Sequence, residues 1–115
     1  GGGLQEQYYE MRTYSNMVAQ TINKLEKDGR VDELLAFMQS HKGAVSTRDE
    51  ILRIDRYMKK YRENKQQIQI SDLSSKEKKE IIEQLDQERN LRLAIVPFLV
   101  KETDQSAYLS GLIRN

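Results

Sequence analysis

The chain reads as an all-α protein, an antiparallel helical bundle of three long helices and one short helix. Three observations carry that expectation. Apolar residues recur at alternating steps of four and three, the period of a helix face and not of a strand. Charged residues make up 32% of the 115 positions and there is a single Pro; Lys, Glu, Gln, Arg and Leu lose little rotamer freedom in a helix. The connections between periodic segments are short, which makes antiparallel neighbours the default. A chain this polar would be disordered if its apolar residues were sparse, but here they are periodic.

The first helix is expected over about 4–28. Leu4, Tyr8, Met11, Ser15, Val18, Ile22 and Leu25 follow the four-and-three step, and six of these seven are apolar. That is a narrow amphipathic stripe on a helix about 37 Å long. Asp28-Gly29 ends it, because Gly takes the left-handed position after a helix without a Cβ penalty. A short helix over about 31–41 follows, with Val31, Leu34, Leu35 and Met38 on one face. Asp32 and Glu33 suit the positive end of its dipole. His41 and Lys42 sit in its last turn, and Gly43 supplies the stop. The connection through Gly29-Arg30 is so short that the two helices form an αα-hairpin. The turn Gly29-Arg30-Val31-Asp32-Glu33 resembles the one between helices of tetratricopeptide repeats, but one unit cannot make an array.

The third helix starts at Ser46 or Thr47. Ser46-Thr47-Arg48-Asp49 and Thr47-Arg48-Asp49-Glu50 both approximate a capping box, the second more closely because it puts Glu three residues on. Ile51, Ile54, Met58, Tyr61, Lys65 and Ile68 then repeat the step to about Gln69. Ser71-Asp72-Leu73-Ser74-Ser75 is the clearest break, and Ser74 with Glu77 is a stronger capping box. The fourth helix carries Ile81 or Ile82, Leu85, Leu91 or Arg92, Ile95 and Leu99. Its pairs Lys76/Glu80, Lys79/Glu83 and Glu88/Arg92 are each worth a few tenths of a kcal/mol. Pro97 offers no N–H to the Leu93 carbonyl, so the helix kinks or stops there. The stretch 91–100 is apolar nearly all round, which implies full burial, either at the centre of this bundle or against another part of a larger protein. Tyr108, Leu109, Leu112 and Ile113 make a last short amphipathic helix that docks on the bundle. The polar seam residues Ser15 and Lys65 either fix register or mark where each helix leaves the core.

Residues 1–3 are glycines with no initiator Met. They read as an appended remnant, residues 4–115 as a single bundle domain, and the whole as a fragment of a longer chain. No apolar run behind a basic region suggests a signal peptide. The ten residues of 91–100 are about half of a membrane span. The expectation is a soluble protein, cytoplasmic or virion-associated.

Composition also narrows the chemistry. The absence of Cys excludes disulfide scaffolds, thiolate metal sites and Cys nucleophiles. His41 is the only His and has no acid three residues before it, so it does not form a Glu-x-x-His metal motif; it reads as a complement to a helix C-terminus. Asp49, Glu50, Asp55, Glu63, Glu77, Glu80, Glu83, Asp86 and Glu88 could suggest paired-acid hydrolysis, but nearly every one has a Lys or Arg a turn away, the pattern of a solvated face. Gly29 and Gly43 are single stops and not a phosphate loop. Ser46, Ser74 and Ser75 read as caps with no His relay. The reading is therefore not an enzyme, with no cofactor and no metal.

Two surfaces remain. Tyr8, Tyr9, Met11 and Tyr14 cluster on the first helix with Met17, amphipathic and adaptable side chains that are frequent at interfaces. They are the candidate partner surface, for another protein, for the rest of a parent chain, or for self-association along the stripe. On the third helix Arg53, Arg56 and Lys60 share a face with Tyr57 and Tyr61 interleaved, as stacking platforms are in single-strand binding. Arg53, Arg56, Tyr57 and Lys60 are the alternative, a nucleic-acid face. Against it, nineteen Lys and Arg face eighteen Asp and Glu, for a net charge of +1.

Residues 16–19 (Asn16-Met17-Val18-Ala19), 24–30 (Lys24-Leu25-Glu26-Lys27-Asp28-Gly29-Arg30) and Glu33-Leu34-Leu35 precede Ile54-Asp55-Arg56-Tyr57-Met58-Lys59-Lys60-Tyr61-Arg62-Glu63. Lys78-Lys79-Glu80-Ile81-Ile82 and Gln87-Glu88-Arg89-Asn90 follow. In this order, over about 14–100, the chain resembles helical modules near the C-termini of large polyvalent and internal virion proteins of tailed bacteriophages. The resemblance rests on helix order and a Lys-Leu-x-x-x-Gly type stop. It implies a structural, non-catalytic module of a long chain carried in the virion or ejected with the genome, and it transfers no site residues.

Overall fold

A computed structural model describes residues 3–96 of the chain. Among them are four α-helices, α1 (Leu4–Lys27), α2 (Val31–Ser40), α3 (Thr47–Gln69) and α4 (Ser75–Ala94), with a 3-10 turn at Lys42–Ala44 and no strand. The all-α reading holds, as does the division into three long helices and one short. The chain divides into two compact units, Gly1–Ser46 and Thr47–Asn115. The first is built on the α1/α2 hairpin and the second on the α3/α4 hairpin. The fourth helix stops at Ala94, three residues before Pro97; Pro97 itself and the expected helix at Tyr108, Leu109, Leu112 and Ile113 lie outside the described residues.

In the first unit the hairpin turn is set by backbone chemistry. Gly29 has φ 71°, its N–H donates to the Glu26 carbonyl at 3.1 Å, and the Arg30 N–H reaches the Leu25 carbonyl at 3.0 Å. This pair of bonds closes the end of α1 as a Schellman motif, which a left-handed residue after the helix makes available. Arg30 then stands at the start of α2, where its guanidinium pairs with Glu33 at 2.6 Å. Val18 and Ile22 of α1 meet Leu34 and Met38 of α2, and Val45 completes this core, with Leu25, Phe37 and Ala44 packed at its edge.

The end of α2 differs from expectation. Gly43 lies inside the 3-10 turn and does not adopt positive φ. The helix has already stopped at Ser40, and His41 finishes it. Its ring stacks on Phe37 with centroids 4.0 Å apart, and Nδ1 lies 2.8 Å from the Phe37 carbonyl. The same carbonyl accepts the His41 N–H and the Ser40 hydroxyl, each at 3.0 Å, so the last turn closes without a left-handed residue.

In the second unit α3 buries Ile54, Met58 and Tyr61 of the expected seam, with Ile51, Lys65 and Ile68 half-buried beside them. The helix begins at Thr47, which puts Ser46 in the capping position and leaves Asp49, not Glu50, three residues on. The better-matching box through Thr47 is therefore not the one used. At its other end α3 has no basic residue in the last turn. Lys78 of α4 supplies the charge, donating to the Gln69 carbonyl at 3.0 Å. Ser74 caps α4 as expected: its Oγ accepts the Glu77 N–H at 3.1 Å and donates to Glu77 Oε1 at 2.9 Å.

Apolar burial on α4 is light. Leu93 is its one buried residue, while Ile81, Ile82 and Leu85 are half-buried. Leu93 and Val96 are buried while Leu91 is 72% exposed, so the described part of 91–100 is not covered all round within this chain. Residues two apart on a helix point about 200° apart, so a shallow contact that takes Leu93 turns Leu91 out. Of the three charge pairs expected on this helix, Glu88/Arg92 closes, at 3.8 Å. No other closes among the described residues.

A Ser74→Ala variant is expected to lose about 1 kcal/mol, read as a fall of several degrees in the melting temperature. Ser75→Ala, at the exposed first residue of the same helix, serves as the control and shifts stability by less than about 0.5 kcal/mol.

Candidate interaction surface

The stripe of α1 has two fates. Val18 and Ile22 are buried against α2, while every residue over 4–17 is exposed. The cause is length: α1 has 24 residues and α2 has 10, so a second helix about 15 Å long ends part-way along the first. Tyr14 marks the level where it ends, with its ring 6.2 Å from that of His41. Ser15 thus stands where the helix leaves the core, the second of the two roles open to it.

Beyond that level Leu4, Tyr8, Met11 and Tyr14 fall within an arc of about 120°. Tyr8 is 60% exposed and Met11 69%. Tyr9, also exposed, lies about 100° around from Tyr8 and is off the stripe. Its ring meets that of Tyr8 edge-on, 6.3 Å between centroids. The structure therefore brings Tyr8, Met11 and Tyr14 together with Leu4, and leaves Tyr9 flanking. The base of the stripe is an aromatic shelf of Tyr14, His41 and Phe37, in which His41 and Phe37 were not singled out by their spacing.

The proposed nucleic-acid face is not assembled. Arg53 is 7% exposed and its Nε donates to Asp49 at 3.0 Å. Tyr57 is half-buried with the Arg92 guanidinium over its ring at 5.7 Å, and Tyr61 is buried. Arg56 and Lys60 remain exposed. A stacking platform needs an open ring face, and α4 has taken these.

Instead, Tyr57, Tyr61 and Lys65 of α3 hold α4. The Tyr61 hydroxyl donates to Asp86 and accepts from Arg89 Nη1 at 2.8 Å. Arg89 lies over the Tyr61 ring at 5.0 Å, and Lys65 reaches Asp86 at 3.6 Å. Burial first, then the hydroxyl's bond to Asp86, push the Tyr61 phenol up to about 12. Lys65, a polar seam residue, fixes register here.

Glu50 is the residue whose role the sequence hid. It is 4% exposed and has no hydrogen-bond or ion-pair partner among the described residues, where a solvated or capping acid was expected. Burial raises its carboxyl to about 7. Among the described residues no three of His, Asp and Glu converge as a metal-binding group. No helix there is long and apolar enough to cross a membrane. Compared with family models, curated proteins and solved structures, the chain has no match.

The buried Glu50 makes stability depend on pH. In the folded chain it keeps its proton to about pH 7, whereas an unfolded Glu gives it up near 4.5. Its contribution is complete below about pH 4.5, falls as pH rises to about 7, and is flat above, a loss of at most about 3 kcal/mol. Glu50→Gln removes the need for the proton. Thermal melts of both proteins between pH 4.5 and 8 are expected to show the variant gaining on the wild type as pH rises. Parallel curves contradict this.

Proposed function

We propose that this chain is a non-catalytic helical module that acts through protein–protein contact, as a structural part of a longer protein, with Tyr8, Met11 and Tyr14 at the centre of the contact and Tyr9 at its edge. The observation that carries this reading is the half-covered stripe of α1. The four-and-three spacing that packs Val18 and Ile22 into the core continues through Met11, Tyr8 and Leu4, which are exposed. Tyr and Met are enriched where proteins meet, and Lys is depleted there; residues 4–17 contain no Lys. On the resemblance of its helix order to phage virion modules, the parent is a structural protein carried in a virion or ejected with the genome. Of the four residues of the nucleic-acid alternative, Arg53 is buried and paired with Asp49, and Tyr57 is half-buried beneath Arg92.

A photo-crosslinking amino acid at position 11 tests the reading in cells making the full chain. Defined protein adducts are expected at position 11 and not at Lys60. Their absence at both removes the interaction surface. Anisotropy of a labelled oligonucleotide at low salt tests the alternative, since phosphate binding is strongest there and falls steeply as salt rises. No change in anisotropy is expected.

A further inference from the structure

We propose that the uncovered half of α1 receives a second copy of this chain. The two α1 helices lie antiparallel, and each runs on from the end of the other's α2. This rests on the reading of that stripe as an interaction surface and names its occupant.

Lengths supply the first argument. Residues 4–17 of α1 are exposed, a segment of about 21 Å, and a second copy offers an uncovered segment of the same length. A helix end-on to α2 that covers these residues completes the hairpin which α2 leaves short. Only one direction allows both copies to do this. In a parallel pair each helix would carry its own α2 on the shared seam from Val18 onward, and the two would compete for one space. In an antiparallel pair the α2 helices sit at opposite ends.

The second argument is the match of side chains across a two-fold axis, where each contact occurs twice. Setting Tyr8 opposite the partner's Met11 brings Leu4 opposite the partner's Ser15. Each bulky ring meets a flexible thioether, which fills irregular gaps, and each end of the contact pairs a large residue with a small one. Ser15 then has a packing role that a polar break in a stripe does not have in isolation. Tyr14 closes one flank beside His41.

Charge complementarity is the third. In the antiparallel pair α2 and the partner's α1 point the same way, so the C-terminal end of one faces the N-terminal end of the other. Those ends carry opposite partial charges of about half an electron each. The exposed parts of Leu4, Tyr8, Met11 and Tyr14, at roughly 200 Å² per large side chain, amount to about 500 Å² per copy. With these four side chains fully covered, two copies bury at most about 1,000 Å² through them, near the lower bound for a specific interface. The dimer is therefore a concentration-dependent one.

Sedimentation of the full chain from micromolar to millimolar concentration is expected to rise from monomer to dimer mass. Met11→Glu should stay monomeric with unchanged helicity by circular dichroism, while Lys60→Glu on α3 should follow the wild type. The chain has no Cys, so single-cysteine variants report direction. Leu4→Cys mixed with Ser15→Cys is expected to give the disulfide. Leu4→Cys with itself is not, because those positions lie about 16 Å apart in the antiparallel pair, beyond the roughly 7 Å that a disulfide spans between Cα atoms. Self-linking of Leu4→Cys in preference to the mixed pair means a parallel dimer and overturns the proposal. A monomer at every concentration also overturns it. Position-11 adducts to a different protein would then leave the interaction reading standing, whereas loss of those adducts as well removes both.

Discussion

A helix of 24 residues cannot be covered by one of 10, and the first unit is organised by that mismatch. Apolar burial drives the hairpin together at about 25 cal/mol per Å², but it reaches only as far as α2 extends. Val18 and Ile22 enter the core with Leu34, Met38 and Val45. Met11, Tyr8 and Leu4 continue the same seam in water. One sequence pattern therefore has two physical outcomes on one helix, and the boundary falls at Ser15 and Tyr14, where the Phe37–His41 stack ends α2. The exposed half carries Leu4, Tyr8, Met11 and Tyr14 on a continuous helix face.

The second unit solves a different problem. Its α4 has a thin apolar face, and Leu93 is the only residue of the helix that is buried. Position along α3 is set instead by a ladder of specific polar contacts: Tyr57 with Arg92, Tyr61 with Asp86 and Arg89, Lys65 with Asp86, and Gln69 with Lys78. Partner numbers rise on one helix as they fall on the other, so the hairpin is antiparallel and its register is tied at four levels. A one-residue slip would strip Tyr61 of both hydroxyl partners within a buried site, and an unsatisfied buried group costs about 1–3 kcal/mol. Glu50 adds a local cost at the start of α3, where an acid that suits the helix dipole is held away from water and keeps its proton instead.

Much of this was legible because local rules act at short range. The Gly29 turn, the Ser74 cap and the faces of α1, α2 and α3 follow from spacing and from residue conformational preferences, which need no knowledge of neighbours. Gly43 misled because a glycine near a helix end signals a stop only if nothing else satisfies the last carbonyls, and His41 does so here. The Arg53, Arg56, Tyr57 and Lys60 face misled for a related reason. Periodicity reports which residues share a face but not whether that face meets water or another helix. Arg53 pairs with Asp49 one turn back on its own helix, while the partnership of Tyr57 with Arg92 appears only once the helices are side by side. Glu50 and Leu91 were misread in opposite directions, an acid taken as solvated and a leucine taken as buried, because the depth of a contact is not encoded in the type of residue that makes it.

By itself the sequence determined that the described chain is helical, where α1, α2 and α3 begin and end to within a residue or two, and which stripe of each of these three is apolar. Those properties come from hydrogen bonding and side-chain preferences within a few residues. The tertiary structure decided which parts of the stripes are covered. It buried Glu50 and Arg53, set Tyr57, Tyr61 and Lys65 of α3 against α4, and left half of α1 open. Coverage depends on the relative lengths and placement of separate helices, a non-local quantity that no periodicity within one helix contains.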